Sequence, residues 1–313
     1  MTTGLSAVER LETLAGDVFD KDDLPLLLVL PGLFLFAAFL FYPIAYSVYL
    51  SFTNAGPTTI FAGNMQFVGL QNYAEVLGDP LFWYSMGKTW LFVAVSVTSK
   101  IGLAIGVALV LTSRFVVGRR VYRSLIIVPM GLPAIFTITI WQGIFSSANF
   151  GLANQVLAAA GFGAVGWLSG EWTAFAAYVV TEVWLAYPFM VIIIVSALQG
   201  VPEELHDAAK VDGAGYLHRF VHVTLPAIKR PVLFASILTA AASFQQFLIP
   251  FVFNDGGPGR TNQLLLVYGY KEAFRFDKWG KGAAIMVVTL LFIGAFMFLN
   301  VWKGRLAEGV DDA

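Results

Sequence analysis

The sequence predicts an all-α membrane protein with six transmembrane helices, and three observations carry that prediction. Of its 313 residues 58% are hydrophobic and 12% charged, with a mean hydropathy of +0.74, whereas soluble domains carry about 25% charged residues. Six apolar runs meet the roughly 20 residues that a helix needs to cross a hydrocarbon core of about 30 Å. Prolines stand inside these runs at Pro31, Pro43, Pro129, Pro133 and Pro188. In a soluble helix they would be disabling, but within a bundle neighbouring groups satisfy the freed carbonyls and the result is a kink.

The first 25 residues hold six acidic side chains against Arg10 and Lys21. They lack the positive n-region and small-residue cleavage site of a signal peptide, so residues 1–25 are expected to be a retained cytoplasmic tail with a short amphipathic helix over 7–19. The runs themselves cover 26–52, 89–111, 124–145, 172–198, 232–253 and 283–301. The first is too long for a signal h-region and long enough to span with tilt. This gives a transmembrane domain over 26–302 and a C-terminal tail over 303–313. The second run is preceded by a long loop with Asn54-Ala55-Gly56-Pro57 turn chemistry and a polar aromatic stretch, Phe67-Val68-Gly69-Leu70-Gln71-Asn72-Tyr73. Asp255-Gly256-Gly257-Pro258-Gly259 opens a tight turn between spans five and six. Trp83, Trp90, Trp141, Trp167, Trp172 and Trp279 fall near one set of run ends, as an interfacial belt should.

Six spans put both termini on one side, and Lys and Arg in the flanking loops decide which. With the N-terminus inside, twelve basic residues are cytoplasmic and six are outside, namely Lys88, Arg260, Lys271, Arg275, Lys278 and Lys281. Both termini are therefore expected in the cytoplasm, and so is the polar stretch 202–226. That stretch, rich in charge and Ala, with Gly213 and Gly215 and a closing Leu225-Pro226, predicts two short helices with a bend between them.

Several chemistries are excluded. The chain has no cysteine, which removes disulfides, thiolate metal sites and Cys nucleophiles together. Its net charge of −1 gives no basic field to attract nucleic acid. His218 and His222 share a helix face, but Arg219 stands where a zinc-protease helix has its glutamate, and no metal site is expected. Gly87-Lys88-Thr89 ends like a phosphate-binding loop, yet Phe82 occupies the position of the first glycine. No catalytic residue and no ATP site is expected in this chain, so nucleotide-powered transport would need another subunit.

Two ionisable residues lie deep within spans, Lys100 in the second and Glu182 in the fourth. Each costs at least about 2.5 kcal/mol near the membrane centre unless paired. At about 1.5 Å per residue they lie about 18 and 24 Å from their cytoplasmic ends, within reach of each other, and an ion pair is expected. It serves either beside a pathway or in holding the bundle. Glu182, Trp184 and Tyr187 before the Pro188 kink, and Ser243, Phe244, Gln245 and Gln246 in the middle of span five, are the candidate pathway lining. Amides and aromatic faces suit a neutral polyol; the same amides also serve as interhelical hydrogen bonds.

The stretch 202–226 resembles the cytoplasmic EAA loop of binding-protein-dependent ABC importer permeases. Asp207-Ala208-Ala209 takes the EAA position, one methylene shorter at its acid; Gly213 takes the glycine, Val223 the isoleucine, and Leu225-Pro226 the end, without a gap. The resemblance extends through 67–73, Pro188-Phe189, Gly256 to Pro258, Tyr268 and Ala273-Phe274, and is closest to the carbohydrate-uptake branch, the maltose and glycerol-3-phosphate type. It implies a type I permease core in a bacterial or archaeal cell membrane, with a coupling loop over 199–231. Glu204, Asp207, Ala208, Ala209, Asp212, Gly213, Leu225 and Pro226 would meet the ATPase. The implied partners are a second homologous permease, two ABC ATPase subunits carrying ATP and Mg²⁺, an external solute-binding protein and membrane lipid. The function implied is import of a sugar or related polyol by alternating access. A self-sufficient secondary carrier or channel is the competing class, but neither internal inverted repeats nor a chain of intramembrane acids is visible.

Overall fold

A computed structural model of the chain describes residues 24–113, 116–148 and 150–304. The expected tail helix over 7–19 lies outside the described residues, as does most of the C-terminal tail. Thirteen helices follow in order among the described residues: α1 Leu24–Ser51, α2 Pro57–Phe61, α3 Gln71–Gly78, α4 Pro80–Thr112, α5 Arg119–Gly131, α6 Ala134–Ile144 and α7 Leu152–Ala159. Then come α8 Glu171–Gln199, α9 Glu203–Val211, α10 Tyr216–Phe244, α11 Leu248–Asn254, α12 Leu265–Tyr270 and α13 Trp279–Gly304. Five helices (α1, α4, α8, α10 and α13) are long and apolar enough to cross a membrane, and α5 with α6 makes a sixth crossing if that bent pair is one span.

Where the helices begin and end differs from the apolar runs for local reasons. The second crossing starts nine residues before its run, because Asp79 caps the helix, its Oδ1 accepting from Leu81 N at 2.9 Å, and Pro80 takes the first turn where no N–H is needed. Lys88, expected in a loop, is therefore helical. The third run is not one helix: α5 and α6 meet at a 95° bend. Leu132 is extended (φ −89°, ψ 139°) as a residue before proline prefers, and Pro133 starts the next helix. Pro31, Pro43, Pro129 and Pro188 all stay inside helices.

The fifth run is also corrected. Its helix begins at Tyr216 and runs 29 residues to Phe244, about 44 Å at 1.5 Å per residue. Leu225-Pro226 does not close it. A π-helical turn over Phe220–Thr224 precedes the proline, and the wider turn accommodates a ring that would otherwise crowd the carbonyl four residues back. At the other end Gln245, Gln246 and Phe247 break the helix, and α11 is a separate piece. α11 packs on α6, the second half of the other broken crossing, and Gln142 Nε2 of α6 donates to the carbonyls of Val252 and Phe253 at 2.7 and 2.9 Å.

Packing centres on α4 against α8, with α10 laid across both and α13 beyond. One buried cluster holds Phe82, Phe244, Tyr268 and Ile285. A second holds Phe92, Phe175, Tyr178 and Phe253, and a third Ala104, Met190, Ile194 and Ile228. Trp90 does not join a belt; its ring packs edge-on to Phe244 and Phe296, with centroids 4.9 and 5.1 Å away. α1 packs mainly on α13 and leaves Phe34, Phe36, Phe39 and Phe41 exposed, as a lipid- or subunit-facing helix does.

The stretch 67–73 ties the end of α1 down. Asn72 Nδ2 donates to the carbonyls of Ser51 and Thr53 at 2.9 and 2.8 Å, satisfying groups that the helix end leaves open, and Tyr73 bonds Ser51 Oγ at 2.6 Å. Gly280, in the first turn of α13, closes against the carbonyls of Thr53 and Leu50. A Cβ there would lie 2.1 Å from Thr53 O and 3.0 Å from Asn72 Nδ2. Gly280→Ala is expected to lower stability by about 1–3 kcal/mol, while Gly102→Ala, whose Cβ meets nothing within 4 Å, leaves it unchanged or higher; thermal unfolding of the detergent-purified chain measures both.

Candidate functional site

Along α4, Lys100 falls between Phe92 of one cluster and Ala104 of another, and along α8 Glu182 falls between Tyr178 and Met190. The two charges meet where apolar packing is interrupted. Lys100 Nζ donates to Glu182 Oε1 at 2.6 Å and to Ser243 Oγ at 2.8 Å, with Thr239 Oγ1 at 3.5 Å. Ser243 donates onward to Glu182 Oε1 at 2.9 Å, and Gln246 Nε2 donates to Glu182 Oε2 at 2.6 Å. Lys100 is fully buried and Glu182 is 4% exposed. Such a site is tenable only because both carboxylate oxygens and the ammonium find partners.

Gln246 sits in the break after α10, and its Oε1 also accepts from Ile249 N in the first turn of α11 at 3.3 Å. The carboxylate of Glu182 thus holds Ser243 on one side of the break and Gln246 within it. Thr239 was not foreseen; it lies one helical turn before Ser243, and i, i+4 spacing on α10 is the signal that would have found it.

The other candidate lining residues lie elsewhere. Trp184 and Tyr187 form an aromatic strip with Trp141, with centroids 5.9 Å from Trp184 to Trp141 and 6.0 Å to Tyr187. Phe244 is buried against Trp90, and Gln245 turns back on its own helix to reach Ala241 O at 3.4 Å. Of the seven candidates only Glu182, Ser243 and Gln246 share the network.

At one end of the bundle α9 carries Glu204, Asp207, Ala208 and Ala209, with Asp212 as its C-cap. Gly213 follows at φ +79°; its N–H donates to Lys210 O at 3.0 Å, and Ala214 N donates to Ala209 O at 2.8 Å. This pair of bonds is the Schellman stop, and the left-handed residue it needs is why glycine stands there. α9 buries no residue. Asp207 pairs with Lys210 at 2.5 Å, and that hydrogen bond, then its charge, holds the carboxyl below its ordinary range. Leu225 and Pro226 lie well inside α10, beyond the π turn, and not on α9.

The opposite end holds charge networks that the sequence did not reveal. Lys88 pairs with Glu171 at the start of α8 and lies 4.2 Å from the Trp172 ring centre. Asp255 takes Lys271 at 2.9 Å and Arg275 at 2.5 Å, and Glu272 takes Lys281 at 3.2 Å and Arg260 at 3.5 Å. Asp79 Oδ2 accepts from Tyr268 at 2.6 Å and meets Lys281 at 3.3 Å. Burial pushes the Asp79 carboxyl up, but Tyr268, Leu81 N and Lys281 outweigh it and hold it below 3.8.

A multi-crossing bundle with a buried polar network at its centre and an exposed, sharply stopped helix at one end is the build of a membrane transport subunit. The chain belongs to the family of binding-protein-dependent transport system inner membrane components, which matches residues 100–309. It is 33% identical over 281 residues to the trehalose/maltose transport system permease protein MalF of Thermococcus litoralis, covering 89% of this chain and 92% of that one. It is 33% identical over 265 residues to the sulfoquinovosyl glycerol transport system permease protein SmoG of Agrobacterium fabrum, covering 85% of each. Its fold matches the solved bacterial alginate ABC transporter in complex with an alginate pentasaccharide-bound periplasmic protein, with a TM-score of 0.75 at 17% identity over 93% of this chain and 97% of that one.

Removing one member of the buried pair strands the other. Glu182→Leu or Lys100→Met alone is expected to cost about 3–5 kcal/mol, and the double variant far less than the sum; yield and thermal stability of the purified chain give the coupling. For Asp79 the folded value is depressed, so its contribution is present above 3.8 and is lost as pH falls through the lower folded value. The stability gap between wild type and Asp79→Asn should therefore be open at neutral pH and close in acid, as measured by unfolding across pH.

Proposed function

We propose that this chain is one permease half of an ATP-driven importer for a sugar or glycoside. Family membership gives the transport role, and the relatives' saccharide-containing substrates give the class. The single observation that carries the mechanism is mechanical. α9 is an exposed helix stopped by Gly213, and the chain then re-enters one continuous helix, α10, whose far end bonds the Lys100–Glu182 network.

In this reading a separate ATPase, with its own ATP and Mg²⁺, grips α9 through the small faces of Ala208 and Ala209, with Glu204, Asp207 and Asp212 at the edges. Displacement of α9 tilts α10, and Ser243 and Gln246 shift against Glu182. Because Asp207 is already held by Lys210, a partner cation must share that carboxylate or displace Lys210. A second permease completes the pathway, and an external binding protein delivers solute; the alginate transporter is seen in complex with an alginate pentasaccharide-bound periplasmic protein. Glu182, Ser243 and Gln246, with the Trp184–Tyr187 strip, are the pathway candidates.

The orientation with α9 and both termini in the cytoplasm of a bacterial or archaeal cell is supported by the count of Lys and Arg in the flanking loops. Five of the six basic residues assigned outside are ion-paired with the chain's own carboxylates. That pairing gives these cations partners in the folded chain, while the orientation itself follows the count of Lys and Arg.

The test is co-expression with the permease and ATPase genes that accompany this one, and ATPase assay in vesicles with a panel of binding-protein-bound sugars. Wild type is expected to co-purify with the ATPase and to be stimulated by one sugar class. Gly213→Pro fixes φ near −65° and removes the N–H that bonds Lys210 O. It should insert normally and lose stimulation by at least about tenfold. Full stimulation in that variant would remove the coupling role of the α9 stop.

A further inference from the structure

Between α9 and the spans lies a cavity of about 470 Å³ that the transport reading does not use. The last turn of α4, the end of α8 and the start of α10 all contribute to it through Leu109, Thr112, Leu198 and Phe220. α4 and α8 end here and α10 begins here.

The polar part of the lining is mixed: two cations, Lys210 and Arg219, stand among His206, Tyr216 and three hydroxyl residues. His206 and Lys210 come from α9 and Arg219 from the start of α10, against one carboxylate, Glu203. Arg119 adds a guanidinium beside the lining, donating to Ser113 O at 2.8 Å. Asp207 lies outside the lining and is engaged by Lys210, and its charge also reaches His206 and Arg219. Arg219 Nε is sealed from solvent and finds no acceptor among the described residues. A sealed Nε–H is satisfied when an acceptor arrives from elsewhere, and phosphate oxygens match the guanidinium fork. The apolar remainder of the lining suits a ligand that is hydrocarbon on one side and anionic on the other.

We propose that this cavity holds the phosphate of an anionic phospholipid, with Arg219 as its principal donor and Lys210 and His206 beside it. The lipid then braces α9 against the ends of α4 and α8. The same phosphate chemistry is offered by free inorganic phosphate, and the experiment separates the two sources.

Full transporter, purified from vesicles of phosphatidylcholine with phosphatidylglycerol added, is examined by native mass spectrometry for retained lipid. Wild type should keep phosphatidylglycerol in preference to phosphatidylcholine. Arg219→Gln should reduce that retention by about tenfold, the scale of one charge-assisted hydrogen bond. Leu109→Trp, which fills the cavity without touching a charge, should do the same and decides the matter alone if the arginine variant misfolds. Lys278→Gln, at the other end of the bundle, should leave retention unchanged. In a parallel arm inorganic phosphate is added to delipidated protein. Thermal protection of wild type but not of Arg219→Gln, without selective lipid retention, overturns the lipid assignment in favour of a soluble anion. Equal phosphatidylglycerol retention in wild type and both cavity variants overturns the site.

Discussion

An ammonium placed at the centre of an apolar bundle is the constraint around which the rest is arranged. Lys100 cannot reach water, so Glu182 must face it from α8 at 2.6 Å, and α10 must present Ser243 at the same height. Three crossings are thereby fixed in rotation and depth by one set of hydrogen bonds. The apolar clusters above and below the pair supply most of the packing energy, but apolar side chains tolerate sliding and rotation that a satisfied ion pair does not. The network is the registration mark of the bundle.

Both interrupted crossings meet near that mark. α6 and α11 are short, lie after the breaks at Pro133 and at Gln245 to Phe247, and pack on one another, with Gln142 closing the end of α11. A broken helix inside a membrane leaves backbone groups that lipid cannot satisfy. Here side-chain amides do so, Gln142 for the carbonyls of α11 and Gln246 for one of its N–H groups. The glutamines that read as candidate solute ligands are thus in part repair of the backbone, and a moving α10 would disturb repair and network together.

The all-helical class and the apolar crossings were legible because they follow from bulk hydropathy. Gly213 was legible because the left-handed turn it makes has a residue requirement. Element limits were less so. The apolar run 89–111 hides a helix that starts at Pro80, since burial of Lys88 depends on Glu171, 83 residues away. Nothing local to Pro133 distinguishes it from Pro129 or Pro188, which stay helical; whether a proline kinks or breaks depends on the neighbours that satisfy its surroundings. Leu225-Pro226 looked like an ending because proline usually is one, and the π turn that defeats this is set by the continuation of the helix into the bundle. Of the seven lining candidates, those with hydrogen-bonding side chains aimed at Glu182 were brought together. Phe244 was claimed by the core, a choice that span-level hydropathy does not encode.

The π turn over Phe220–Thr224 has a consequence for how this chain tolerates change. An α-helix rotates about 100° per residue, so inserting or deleting one residue between Tyr216 and Phe244 would swing Ser243 away from Glu182 or turn Tyr216 and Arg219 away from α9. A π turn contains one residue more than an α turn, and in this rod it lies over Phe220–Thr224. Loss of one residue is therefore absorbable at 220–224, where the π turn reverts to an α turn and Tyr216 and Ser243 keep their relative phase.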